Sequence, residues 1–181
     1  MRNFIIAQLF GILGMAVNIV SYQAKERRNI IFFQLFGSVL FSVNMFMIGA
    51  KTGFLLNLIG ILRGAVYSKK DRFTNIRALT AIFIFLYLIS YPASFVIFAK
   101  EPCPVNLISE TLPIIAMIAT TIGFSGNDSK SIRLATFISS PLWFTYNCIN
   151  LSVGGIICEA LGMLSVLTAF IRLDLRRDKV K

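Results

Sequence analysis

The sequence predicts an all-α membrane protein with seven transmembrane helices in a 3-1-3 arrangement, two parallel three-helix bundles joined by a linker helix. Three observations carry this expectation. Only 14% of the 181 residues are charged while 56% are hydrophobic, against about 25% charged in soluble domains. Apolar stretches of the ~17–25 residues that cross a bilayer recur along the whole length. The chain also repeats weakly on itself at a shift of 102 positions.

The elements follow in order. The first span, 3–22, holds no charged residue and closes at a basic turn from Gln23 to Asn29. It has no A-x-A-like site, so it reads as a span and not as a cleaved signal. The second, 30–49, stops at Ala50-Lys51-Thr52, and the third, 53–69, at the polar stretch Ser68 to Asn75. The fourth, 76–98, is ended by Lys100-Glu101-Pro102-Cys103-Pro104. The fifth, 106–124, and sixth, 132–150, are separated by Gly126 to Ser131, and the seventh, 154–172, follows Ser152-Val153-Gly154. The third and seventh are short, just enough at 1.5 Å per residue for a core of about 30 Å.

A formal net charge of +10 raises nucleic acid as a partner, but the charges are in the wrong places for it. They sit in short gaps between apolar runs, where Lys and Arg mark topology, and form no basic stripe on a polar surface. Of the 18 Lys and Arg, 14 fall on one side of the predicted topology and three on the other (Arg2, Lys51, Lys100), with Arg63 inside a span. This bias puts the N-terminus outside and the C-terminus in the cytoplasm. Attraction to anionic lipid and topology account for Lys25, Arg27, Arg28 and the tail from Arg172 to Lys181, which call for no site. Three cysteines and no histidine give neither a disulfide framework nor a metal-ligand spacing, so no metal and no cofactor is expected.

The shift of 102 lays spans one to three on spans five to seven and leaves span four unpaired. Between 29 and 71, six positions coincide with their partners: Ile30, Ser38, Leu40, Gly53, Gly60 and Leu62. Gln8 meets Glu110, Tyr22 meets Phe124, and Asn57 meets Glu159. The last pair sits in a shared frame, Gly-x3-polar-x2-Gly, at Gly53–Gly60 and Gly155–Gly162. At about 100° per residue, Gly53, Asn57, Gly60 and Gly64 share one face of a helix. A span between two odd-numbered units restores a common orientation, as parallel repeats require. The units are then 1–72, the linker span 73–100, and 101–181 with its short basic tail.

The residues resemble a known fold family. Leu40-Phe41-Ser42-Val43-Asn44, Gly49, and Gly53-x3-Asn57-x2-Gly60 running to Tyr67 look like the second and third helices of a SWEET/PQ-loop triple-helix bundle. Leu142-Trp143-Phe144-Thr145-Tyr146 and Glu159-x2-Gly162-Met163-Leu164 look like its second copy. Ser21-Tyr22-Gln23-x-Lys25-x-Arg27-Arg28, Gln34 and the helix carrying Asn57 and Arg63 also resemble the YgjV family of bacterial inner membrane proteins. The SWEET/PQ-loop resemblance implies a substrate path between two bundles, with the third helix of each contributing a polar residue, here Asn57 and Glu159. The Pro-Gln dipeptide of PQ-loop proteins is Tyr22-Gln23 in one copy and Phe124-Ser125 in the other, so the proline is replaced in both.

Two readings fit Asn57 and Glu159. In one they bind a small polar solute near mid-depth, and Glu159 is a candidate proton carrier. In the other they hydrogen-bond across a helix interface, as polar groups among small residues do. Arg63 pairs with Glu159 or a solute anion, or its stem snorkels to the headgroups. Glu110 lines an outer vestibule, or is a helix-start carboxylate at the positive end of the dipole. Gln34, Asn44, Trp143, Tyr146 and Asn147 are candidates for lining the path from the second helices, although Trp and Tyr also populate membrane interfaces. No catalytic constellation is present, so no enzyme is expected. The sequence thus points to a small polar solute transporter or facilitator working by alternating access. The alternative is a structural, receptor or lipid-interacting protein on the same fold. Self-association is left open, and the bilayer is the one partner the composition requires.

Overall fold

The computed structural model describes residues 2–175 and folds into seven α-helices among them. These are α1 (Arg2–Gln23), α2 (Arg27–Met47), α3 (Lys51–Ser68), α4 (Ile76–Val96), α5 (Pro104–Ser125), α6 (Ser129–Ile149) and α7 (Val153–Ala169). A π-helical turn, Phe170–Leu175, continues α7. The basic residues Arg176, Arg177, Lys179 and Lys181, counted in the topology argument, lie outside the described residues.

Five helices are long and apolar enough to cross a membrane: α1, α2, α4, α5 and the stretch Val153–Arg172 that contains α7. The sequence had suggested seven such spans. α3 and α6 fall short because of what they carry inward. α3 holds Asn57, Arg63 and three glycines, and α6 holds Arg133, Thr136, Ser139, Ser140 and Asn147, with Asn57, Arg63, Arg133, Thr136, Ser139, Ser140 and Asn147 all buried. Polar side chains that face protein do not have to be compensated by lipid-facing hydropathy.

Six helices pack in a closed ring. α1 packs on α2, α2 on α3, α3 on α5, α5 on α6, α6 on α7, and α7 returns to α1. α4 lies outside, against α3 and α5. Its buried residues, Phe83, Tyr87, Ser90 and Ser94, recur at intervals of four, three and four, which is one narrow stripe of a helix. The rest of its surface exposes Ile82, Phe85, Leu88, Ile89 and Val96, as expected of a helix with lipid on the other side.

The ring closes tightly where α7 meets α1. A Cβ on Gly154 would lie 2.7 Å from the carbonyl carbon of Gly11, so the two backbones touch with no side chain between them. Gly154 N donates to Gln8 Oε1 at 3.1 Å across the same seam. Small residues allow this close approach in membranes, where packing and interhelical hydrogen bonds replace the hydrophobic drive.

One end of the ring is tied by basic side chains. Arg27 Nη2 donates to Phe124 O at 2.6 Å and its Nε to Gly126 O at 3.0 Å. Lys70 Nζ donates to Gly126 O and to Asn127 Oδ1, both at 2.6 Å. Arg133 Nη2 donates to Ala24 O at 2.7 Å. Cations on the carbonyl ends of helices satisfy orphan acceptors and the negative end of the dipole. Arg27 therefore has a structural role beyond the topological one the sequence suggested. Burial and the neighbouring Arg27 cation hold the Lys70 ammonium below the usual lysine range. Asp128 caps α6, its Oδ1 accepting from Ser131 N at 2.9 Å, and hydrogen bonds from the Ser131 side chain and then its backbone hold the Asp128 carboxyl below the usual aspartate range.

Candidate functional site

Within the ring lies a cavity of about 90 Å³. A single water needs roughly 10–15 Å³ on a comparable measure, so there is room for several waters or a small solute. All six ring helices line it and α4 does not. Asn57 lies 11 residues before the end of α3, roughly 16 Å from that end at 1.5 Å per residue, so the cavity reaches mid-depth.

The lining has an internal order. Asn18 and Thr120, Tyr22 and Phe124, Gln34 and Thr136, Ser38 and Ser140, Phe41 and Trp143, Met45 and Asn147, and Asn57 and Glu159 all face it. Each pair is separated by 102 positions, and together they make up 14 of the 20 lining residues. Arg63 is the sole Lys or Arg among the 20 and falls outside the pairing, because its counterpart Ser165 is engaged by Gln23 Nε2 at 2.7 Å.

The polar side chains on the wall have distinct partners. Asn57 Nδ2 donates back to Gly53 O at 2.8 Å, which uses one of its two donors. Glu159 lies beside Ser140, and both face the cavity. Arg63 is 5% exposed. Its Nη1 donates to Thr120 Oγ1 at 2.6 Å, Thr121 Oγ1 at 3.0 Å and Met117 O at 3.1 Å. Its guanidinium lies 4.5 Å from the Phe124 ring centroid, a cation–π distance, and Nε is buried without an acceptor.

Comparison with protein families gives a match to a family of bacterial inner membrane proteins, Imp-YgjV, over residues 5–177. The chain belongs to this family. No curated protein and no solved structure matches it.

In this YgjV-family protein, five of the residues expected at a binding site line one cavity together with Arg63: Asn57, Glu159, Trp143, Asn147 and Gln34. Asn44 and Tyr146 do not. Asn44 Nδ2 donates to Ala7 O at 2.7 Å and its Oδ1 accepts from Ser152 Oγ at 2.9 Å, which ties α1, α2 and the start of α7. Tyr146 OH accepts from Gly53 N at 2.9 Å, supplying the acceptor that the first turn of α3 lacks.

Two expectations are corrected. Arg63 neither snorkels nor pairs with Glu159; three acceptors on α5 and the Phe124 face hold it inside the ring. Glu110 is neither on the cavity wall nor at an exposed helix start. It is fully buried and ion-paired with Lys100, the one ion pair between described residues. Ala99, at φ 51°, lies in the turn just before Lys100. Asn18, Ser38, Thr120, Thr136, Ser139 and Ser140 were missed. Asn18 is one of three amides in an uncharged run, with Asn3 and Gln8, and the shift that paired Asn57 with Glu159 also pairs it with Thr120.

Proposed function

We propose that this protein is a transporter or facilitator of a small polar solute, working by alternating access between α1–α3 and α5–α7 with α4 as linker. The observation that carries the reading is the paired lining of the central cavity. Two like-oriented units that contribute equivalent positions to one shared cavity form the arrangement in which parallel-repeat transporters hold their substrates. The resemblance of the Asn57 and Glu159 helices to SWEET/PQ-loop third helices supports the same division of the chain. Asn57 and Glu159 would hydrogen-bond the solute, Trp143 and Phe41 would close over its apolar part, and Gln34 and Asn147 would complete the donor set. The bias of Lys and Arg supports a cytoplasmic C-terminus.

The test is an uptake screen in proteoliposomes with a panel of labelled small solutes, comparing wild type with Asn57→Ala and Glu159→Ala. Uptake of at least one solute that both substitutions reduce is expected. Uptake of none, or uptake indifferent to both, would leave a non-transporting structural, receptor or lipid-interacting protein on the same fold.

A further inference from the structure

We propose that the solute is a small organic monoanion, a monocarboxylate, seated on Arg63 and accompanied by a proton on Glu159. This deepens the reading above and rests on the same cavity. Three observations carry it.

First, Arg63 is a buried cation on the cavity wall with no carboxylate in ion-pair contact, since the one ion pair between described residues is Lys100–Glu110. Three neutral acceptors and an aromatic face hold it, yet its charge is uncompensated. A guanidinium in a low-dielectric site is built to receive a planar oxyanion.

Second, the amides around the cavity present donors to it. Asn18 Oδ1 and Asn147 Oδ1 are both buried without a donor. They are packed against Gly37 and Gly155, where a Cβ would collide with them. The Asn18 oxygen is turned to the Gly37 Cα–H, a contact that favours oxygen over N–H, while the Asn147 amide lies flat against Gly155 with its oxygen and nitrogen almost equally close. The oxygens of both are sealed off, and their amino groups are the ends left for the cavity that both residues line. Donors converging beside a cation suit an acceptor-rich anion.

Third, the wall carries one cation and one acid, on different helices and not in contact. The empty cavity is neutral with Arg63 charged and Glu159 ionised. An anion alone would leave it net negative and would face Glu159. An anion together with a proton on the Glu159 carboxylate restores neutrality, so the anion and the proton move as a unit and the transfer is electroneutral. Keeping the loaded and empty sites equal in charge avoids stranding a charge in low dielectric. The other titratable or charged groups near Glu159 are Tyr22 from α1 and Cys158 on its own helix; Ser140 from α6 and Asn18 from α1 do not titrate.

The test is equilibrium binding to purified full-length protein, read as thermal stabilisation by lactate, phosphate, glycine and glucose at matched ionic strength. Lactate is expected to stabilise wild type saturably, and more tightly at pH 6 than at pH 8. Arg63→Lys, which keeps the charge and loses the fork, should weaken lactate by about tenfold. In Glu159→Gln the lactate affinity should no longer differ between pH 6 and pH 8, and a difference that persists would overturn the proton on Glu159. Preferential stabilisation by phosphate, glycine or glucose would overturn the monocarboxylate assignment, as would lactate binding unchanged by Arg63→Lys. The ligand panel on wild type decides the matter even where a variant fails to fold. Because binding is read without transport, lactate binding with no uptake would sink the transport reading alone. Uptake of a solute other than a carboxylate would sink this proposal alone.

Discussion

Replacing Gly154 by alanine tests the closure of the ring with a single methyl group. The new Cβ would lie 2.7 Å from Gly11 C, 2.8 Å from Gly11 Cα and 3.0 Å from Ile12 N. Carbon atoms pack at about 3.5–4.0 Å, and the atoms in the way are backbone, which cannot rotate aside. α7 must therefore withdraw from α1 by roughly 1 Å, at an overpacking cost of about 1–3 kcal/mol. That is about 5- to 150-fold in the unfolding constant. Gly162→Ala is the control, because its Cβ would meet Tyr22 Cε2 at 3.2 Å, a side chain able to shift by a few tenths of an ångström. Unfolding in detergent, followed by the fluorescence of Trp143, the single tryptophan, gives the measurement. A Gly154→Ala protein as stable as wild type, with Gly162→Ala the weaker of the two, would refute the backbone contact as the closure.

Three further outcomes follow from the same geometry. Tyr146→Phe leaves the buried Gly53 N–H without its acceptor and should cost about 1–3 kcal/mol, while the apparent KM for any transported solute stays unchanged because Tyr146 is off the cavity wall; a raised KM with unchanged stability would contradict this. Asp128→Ala removes the α6 cap and should destabilise by about 0.5–2 kcal/mol. Because the folded-state pKa of Asp128 is lowered, the contribution of its ionised carboxylate is fully present above the ordinary aspartate range. It is lost as the pH falls through the folded value, so wild type and variant should converge in strongly acidic solution, as pH-dependent denaturation curves would show. Lys100→Met strands the fully buried Glu110 carboxylate and should destabilise far more than the double change Lys100→Met/Glu110→Gln, by the usual asymmetry of broken buried pairs; equal losses in a double-mutant cycle would count against the pairing.

The helices were legible because lipid-facing residues are apolar over lengths near those that fit a bilayer, although only five of the seven are long and apolar enough to cross one. Their starts were less so. Hydropathy placed the beginning of the second span at residue 30 and of the sixth at 132, whereas α2 begins at Arg27 and α6 at Ser129. Cations read as loop by hydropathy, but Arg27 is helical with its side chain spent on the carbonyls of α5 and α3. Asn57 and Glu159 were legible as a site because a shared glycine frame marks them at two places in the chain. Asn44, equally polar and equally deep in an apolar run, turns out to hold helices together. Periodicity tells which face a residue occupies and not which neighbour meets it. Arg63 and Glu110 make the same point. Their partners, Thr120 and Lys100, are set by ring packing and by one loop turn, neither of which leaves a trace in spacing.

The most direct test of the central claim is two-sided access to the cavity. In a background with Cys103, Cys148 and Cys158 replaced by serine, single cysteines at positions 57 and 159 would be treated with a small membrane-impermeant thiol reagent. Treatment would be carried out in right-side-out and inside-out vesicles. Labelling of both positions from both faces is the predicted result. Labelling from one face only, or from neither, would contradict a cavity that opens alternately to the two sides of the membrane.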